Sequence, residues 1–429
     1  MHILDTGMPL PTRGRSIASI VGRHAQEAAM LGQQRGVFAQ SAQNSLRHLR
    51  RIDDRIAAHL DGLSVAGEAG WFHCEAGLAQ AGPGELFAAT VMAIETRNAA
   101  RLGKLLALAE AMPECRSGLH LAFAWVSAQF LQGTISSLFA SSSPFHRQVG
   151  IAACAMHQVD PGRALDAALG DADVALRACA LRVAGQAGRR DLLGECSKAM
   201  DDGDPNCRFE AAWSAALLGE REGATAILKH SVLQAGPRQA RALRLILKMI
   251  DPAQANLLLR ELASQPLRDR LLIQGAGMAG DASYIPWLLT QMQDRNLARL
   301  AGEAVATIAG LDLALLDYDG KPPENIAAGP NDDPGDDDVE MDEDDGLPWP
   351  DRVKLQSWWQ EEQVRFATGV RYFLGQPVTL AQASKVLREG CQRQRKAAAE
   401  YLCLLRPGTP LFPTDAPAWR QERWLARMD

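Results

Sequence analysis

Three stretches of the sequence carry residue types able to do chemistry. His73, Cys74 and Glu75 follow Trp71, and a thiol beside an imidazole and a carboxylate is the raw material of nucleophilic or acid–base catalysis. The alternative is one short helical turn near the core. Gly275-Ala-Gly277-Met-Ala-Gly280 satisfies the dinucleotide fingerprint GxGxxG, which works only after a strand and at the opening of a helix, where amides meet a pyrophosphate. Residues 331–345, NDDPGDDDVEMDEDD, hold ten carboxylates and no Lys or Arg. A divalent cation comes to mind, but the central Gly and distal Glu of an EF-hand loop are absent, so such binding would be weak. No HExxH, no GxSxG and no His followed directly by Glu occurs. Catalytic, cofactor-binding and metal-ligating residues are therefore expected to number none.

What these residues sit on is set by an internal repeat. Arg116, Arg147, Arg177, Arg208, Arg238, Arg268 and Arg299 recur at intervals of 30 or 31. Seven and eight residues after each stand uncharged, mostly small side chains, among them Cys154-Ala155, Ala184-Gly185, Ala215-Ala216 and Gly275-Ala276. Small residues two turns into a helix let backbones approach. Four residues before several of the arginines comes a capping side chain: Ser143, Asp173, Asp204 and Ser264. Thirteen residues after, Asp160, Asp251, Asp281 and Asp312 mark the turn into a partner helix. The unit is two helices and two turns, clearest in DADVALRACALRVAG at 171–185, and it is similar to a HEAT-type repeat. GxGxxG falls at the end of the Arg268 helix in this register. The arginines are expected to be structural, their stems covering apolar surface while the guanidinium finds a carbonyl or carboxylate.

The predicted fold is all-α, a HEAT-like α-solenoid of antiparallel helix pairs. An N-terminal helical cap spans 1–80, the repeats 81–315, an acidic Pro/Gly/Asp-rich connector 316–350, and a Trp-rich C-terminal helical domain 351–429. Residues 16–63 read as two amphipathic helices. The first has Ile17, Ile20, Val21, His24 and Ala28 on one face; the second has the stripe Leu46, Leu49, Ile52, Ile56, Leu60 and Leu63. Residues 117–146 contain no Asp, Glu, Lys or Arg, yet His120, Gln129, Gln132, Gly133 and several serines interrupt them. That predicts a buried helical hairpin and no membrane span. Pro9 and Pro11 interrupt any signal peptide, and eight cysteines without a CxxC pair indicate reduced thiols and a cytoplasmic location. In the C-terminal domain a helix around 353–366 precedes one opened by Thr379, with Gln382 as a capping box, and a third, QRQRKAAAEYLCLL, stops at Pro407.

The formal charge of −6 describes no single region. Residues 1–330 sum to −1, the 331–345 run to −10, and 349–429, with five of the nine tryptophans, to +5. No strongly basic surface is available for nucleic acid. Adjacent Trp358 and Trp359 cannot share one helix face, so at least one points away from its own small core. With Trp419 and Trp424 they are candidates for docking on the solenoid or on a partner. Asp336, Asp337, Asp338, Asp342 and Asp344 are the matching acidic candidates, poised to fold back on the basic cap or to compete with a basic partner for it.

The strings HAQEAAML, RRIDDRIAAHLDGLSVAGEAGW at 50–71, LDYDGKPPE at 316–324, DDGLPWPD at 344–351, LRPGTPLF and APAWRQ carry a resemblance that runs from end to end. By these the chain resembles a proteobacterial family of HEAT-repeat proteins whose genes tend to sit beside type VI secretion genes. Where relatives have a Trp in the first helix, this chain has Gly32. The resemblance implies effector handling and transfers no catalytic residue. The expected function is a non-enzymatic scaffold binding another protein, an adaptor or chaperone for a type VI effector or spike-tip component. An immunity protein occluding a toxin would use the same physics. An enzyme of lyase or glycosylase type on a HEAT-like scaffold would instead need a deep polar pocket, near His73 to Glu75 or near His120 and His157.

Overall fold

The structure, a computed structural model, describes residues 16–323 and 342–428. Among these the chain is all-α, an array of antiparallel helix pairs, with one small hairpin pairing Tyr372–Phe373 and Gln376–Pro377. Packing divides the described residues into two compact units: 16–37 with Arg50–Thr134, and Phe38–Leu49 with those from Ile135 onward. The composition boundaries at 80, 315 and 350 do not coincide with this division. The Arg116 helix packs with the N-terminal helices, while the end of the connector and the Trp-rich segment pack with the later repeats.

The second helix, Leu46–Ala66, which enters the first unit at Arg50, buries Leu49, Ile52, Ile56, Leu60 and Leu63 as the stripe predicts. The first helix, Ala18–Phe38, buries Val21 and Ala28 of the expected face and leaves its start outside. Val21, Ala25, Ala28, Ala29, Leu31, Gly32 and Arg35 are buried, while Ile17 and Ile20 are exposed. The small side chains explain the choice, because they admit the helix Pro83–Glu95. A methyl group on its Gly84 would lie 2.2 Å from the Ala29 carbonyl, and one on Gly32 would lie 2.5 Å from the Phe87 ring. A tryptophan at position 32 therefore has no room unless Phe87 moves. Arg35 meets Asp53 at 2.6 Å, both almost fully buried, tying the first two helices together. The uncharged span 117–146 holds two helices joined by a short turn, as expected, and the start of a third at Pro144. It breaks into Arg116–Trp125, a single 3-10 turn Ala128–Leu131 and Thr134–Phe139. Among the described residues no helix is long and apolar enough to cross a membrane.

The second unit holds the repeats. The arginine-bearing or arginine-flanked helices are Pro144–Met156, Val174–Gln186, Pro205–Leu218, Gln239–Met249, Asp269–Ala279 and Arg295–Ala309. Partner helices Arg163–Ala168, Leu193–Ala199, Glu222–Leu233, Pro252–Ala263 and Ile285–Gln291 come after the first five. The small residues do what close packing requires: a methyl on Gly185 would lie 2.5 Å from Ser214 Oγ, and one on Gly275 would lie 2.6 Å from Leu259. Ser143, Asp173 and Asp204 cap their helices, each accepting an amide of the first turn. Asp251 caps Pro252–Ala263, and Asp160, Asp281 and Asp312 accept turn amides. Ser264 does not cap the Asp269–Ala279 helix. Its hydroxyl donates back to the Glu261 carbonyl, closing the preceding helix, and Arg268 takes the N-cap position.

The C-terminal segment adds Arg352–Glu362, Leu380–Glu389, Gln392–Leu405 and Ala418–Leu425. Thr379 caps the second of these, but the Gln382 amide donates to Phe373 instead of completing a box. The capping box lies at the next helix, where Gln394 accepts the Cys391 amide at 3.0 Å. The hairpin seats on the ends of two repeat helices. Its Tyr372 amide donates to the Gly280 carbonyl at 2.7 Å, and the amides of Leu374 and Gly375 donate to Thr307 and Ile308 at 2.8 and 2.9 Å. Gly280 and Gly310 end those helices at φ 69° and 75°, and a methyl on Gly310 would lie 2.6 Å from Leu374.

Candidate functional site

Arginine 147, 177 and 208 form a ladder between successive repeats. Each reaches back to carbonyls of its own preceding turn: Arg147 to Ser141 at 3.0 Å, Arg177 to Asp171 and Arg208 to Asp202 at 2.7 Å. Arg147 and Arg177 also reach forward to the next turn, where Arg147 pairs with Asp171 at 2.9 Å and Arg177 grips Asp202 through two nitrogens at 2.8 and 3.1 Å. Each of those aspartates accepts the amide two residues on, Asp173 or Asp204. Asp202 is held below the usual carboxylate range by Arg177 and the Asp204 amide, and Asp171 by the Asp173 amide and Arg147, against the opposing effect of burial. The ladder pauses after Arg208, because the turn before Arg238 reads LQAG and has no carboxylate. Amides replace it there: Gln239 accepts from Arg268 at 3.2 Å and donates to Val232, and Gln265 donates to Leu233. Arg116, in the other unit, closes on Ala109 and Glu110 carbonyls.

The ladder resumes at Arg299 with an unexpected partner. Its guanidinium donates to the Asp342 carboxylate and the Asp344 carbonyl and stacks 4.7 Å from Trp349. Asp342 in turn accepts the Asp344 amide at 2.9 Å. This is the geometry of Asp171 with Asp173 and of Asp202 with Asp204, built by the end of the acidic run. Asp344 is nearly fully buried and receives a bidentate grip from Arg270 at 2.7 and 3.0 Å. The described end of the connector therefore folds onto repeat arginines and not onto the C-terminal cap, correcting the complementarity suggested by net charge. Asp342 and Asp344 are engaged within the chain. Asp336, Asp337 and Asp338 lie outside the described residues.

The tryptophans also find partners inside the chain. Trp358 is buried in one core with Ile285, Leu300, Ile308 and Leu355, and Trp359 packs against that core. Both rings reach Phe366, at 6.3 and 5.7 Å. Adjacent tryptophans thus share one cluster, because Phe366 fills the angle between them. Trp424 is half-buried with its ring edge-on to Phe412 at 5.9 Å; Trp419 is likewise half-buried.

The catalytic candidates do not assemble. Cys74 is buried, which pushes its thiol up to about 12, the reverse of what a nucleophile needs. Glu75 accepts the Trp71 indole at 3.1 Å, and Arg101 lies 4.4 Å over the same ring. Gly275 and Gly277 sit inside a helix and contact Leu259 and Ala304, while Gly280 is its C-cap. These glycines serve packing, with no helix start for a phosphate.

Sequence reasoning did not foresee a cavity of about 420 Å³ in the second unit. It lies between the Arg238, Arg268 and Arg299 helices and the helix Gln392–Leu405, with Ala39, Gln40, Glu343 and Asp344 also lining it. His73, His120 and His157 are not among its lining residues. Arg393 pairs with Glu303 at 2.6 Å and Arg270 with Asp344 and Glu343. Deeper in, Lys248 meets Glu400 at 2.6 Å, both almost dry. Burial pushes Lys248 down. Burial alone would raise Glu400, yet Lys248, Arg244 and Lys396 around it hold its carboxyl below the usual range. Lys396 is pushed down by burial and then by Arg244. The sequence signal for this site was the basic run RQRK in the third C-terminal helix, opposite Arg244 and Lys248.

Comparison with known proteins adds one match. Residues 163–248 match the family model for HEAT repeats, a span that holds Arg177, Arg208 and the turn at which the ladder pauses. No curated protein and no solved structure matches the chain.

Proposed function

We propose that the chain is a protein-binding scaffold without catalytic activity, working in the cytoplasm as an adaptor or chaperone for a type VI secretion effector or spike component. The HEAT-repeat match carries the scaffold part of this reading, since stacked repeats present extended surfaces suited to other proteins. The partner class comes from the family resemblance of the sequence strings. How the arginines are used supports a protein partner over nucleic acid: those of the ladder are turned to carbonyls and carboxylates of neighbouring repeats. The raised thiol of Cys74 speaks against nucleophilic catalysis at the His73–Glu75 stretch.

Pull-down with products of neighbouring genes, together with a clean deletion, tests this. An adaptor is required for secretion of its partner and dispensable for self-protection. The reverse pattern identifies an immunity protein that occludes a toxin. If no partner is captured and neither phenotype is found, the reading fails.

A further inference from the structure

Charges in the cavity do not balance locally. Arg393 pairs with Glu303, and Arg270 is shared by Asp344 and Glu343, so at that end every cation has a carboxylate partner and one negative charge is left over. The remaining lining charges are Arg244, Lys248 and Lys396 around a single carboxylate, Glu400, whose hydrogen bond goes to Lys248. Arg244 Nε is buried with no hydrogen-bond partner. A buried donor left unpaired is costly and needs an explanation. We infer that the cavity binds an oxyanion, a carboxylate or phosphate group, seated between Arg244 and Lys396.

Size and lining narrow the ligand. At about 420 Å³ the cavity falls in the range of roughly 300–1,000 Å³ typical of small-ligand sites. Leu243, Met278, Leu300, Ala304 and Phe373 supply an apolar wall. The carboxylates of Glu303, Glu343 and Asp344 on the same lining repel an extended polyanion such as nucleic acid. The occupant is thus one oxyanion on a small, largely uncharged body. It arrives either as a free organic acid or phosphate, or as an acidic side chain of a bound polypeptide. The inference stands apart from the secretion role, since its test reads binding alone.

The test is calorimetry on the full chain with three probes, inorganic phosphate, succinate and a short blocked peptide carrying one aspartate, against sodium chloride of equal ionic strength. At least one probe should bind with 1:1 stoichiometry above the chloride control. Lys396→Gln and Arg244→Gln should each weaken it about tenfold or more, as loss of a charge-assisted contact does. Lys354→Gln, whose partner Asp317 lies outside the cavity, should leave it unchanged. Phosphate or succinate binding as tightly as the peptide assigns the site to a free anion; binding of the peptide alone assigns it to a polypeptide. Half-buried Lys396 serves as the readout should Arg244→Gln fail to fold. No probe above the chloride control, or binding unchanged in the folded Lys396→Gln variant, overturns the inference.

Discussion

Asp202→Ala tests the ladder at its best-defined rung. Asp202 accepts two guanidinium hydrogen bonds from Arg177, at 2.8 and 3.1 Å, and the Asp204 amide at 2.8 Å. The two side chains are 18% and 15% exposed, so solvent screens the pair only in part. Hydrogen bonds to charged groups contribute about 1.5–3 kcal/mol each. Taking the low end for a partly wet pair, removal of both should cost about 3 kcal/mol. Asp202→Asn keeps one acceptor for Arg177 and should cost about half of that. Urea denaturation followed by circular dichroism measures both, and a cycle with Arg177→Ala isolates the pairing, expected at about 2 kcal/mol. The pH dependence supplies an independent check. Because the native Asp202 carboxyl lies below its unfolded value of about 3.9, its contribution is complete above that value and disappears as pH falls through the lower native one. Asp202→Asn should remove that part of the acid dependence. A coupling energy below about 0.5 kcal/mol, the level of an exposed pair, would refute the claim that the rung joins the repeats.

Two further outcomes are expected. Glu400→Gln leaves Lys248 buried without its countercharge and should cost about 3–5 kcal/mol in urea denaturation, while the double change Lys248→Met with Glu400→Leu should recover most of the loss. All eight cysteines have thiols raised by burial, Cys74, Cys196 and Cys403 to about 12, so Ellman's reagent at pH 7.5 should titrate less than about one thiol per chain until denaturant is added.

Much of the repeat was legible because its determinants are local. The spacing of Arg147, Arg177 and Arg208, the caps Asp173 and Asp204, and the small pair Ala184-Gly185 each act within one helix or on the next. The string D-x-D-x-x-x-R, at Asp171 to Arg177 and again at Asp202 to Arg208, already contained the rung. What it did not reveal was the forward reach of each arginine, a contact across 24 or 25 residues. In the first helix Val21 and Ala28 are buried as expected, but hydrophobicity misplaced the two isoleucines at its start. Ile17 and Ile20 are the greasier residues, but only the Ala and Gly face admits the helix that packs there. Ser264 and Gln382 failed for a different reason: a hydroxyl or amide near a helix end has several carbonyls and amides within reach, and tertiary neighbours decided between them. The cavity could not be assembled from the sequence: the RQRK run marks a basic helix face but not what it meets, and Lys248 and Glu400 stand 152 residues apart.

The pairing of Arg299 with Asp342 bears on how the array of repeats ends. The Arg147 and Arg177 rungs each take a carboxylate from the next unit along, and Arg299 has no following repeat to supply one. Asp342 and Asp344 counterfeit the turn of that missing unit, down to the amide accepted two residues on. The described end of the connector therefore occupies the Arg299 guanidinium in the way a following repeat's turn would.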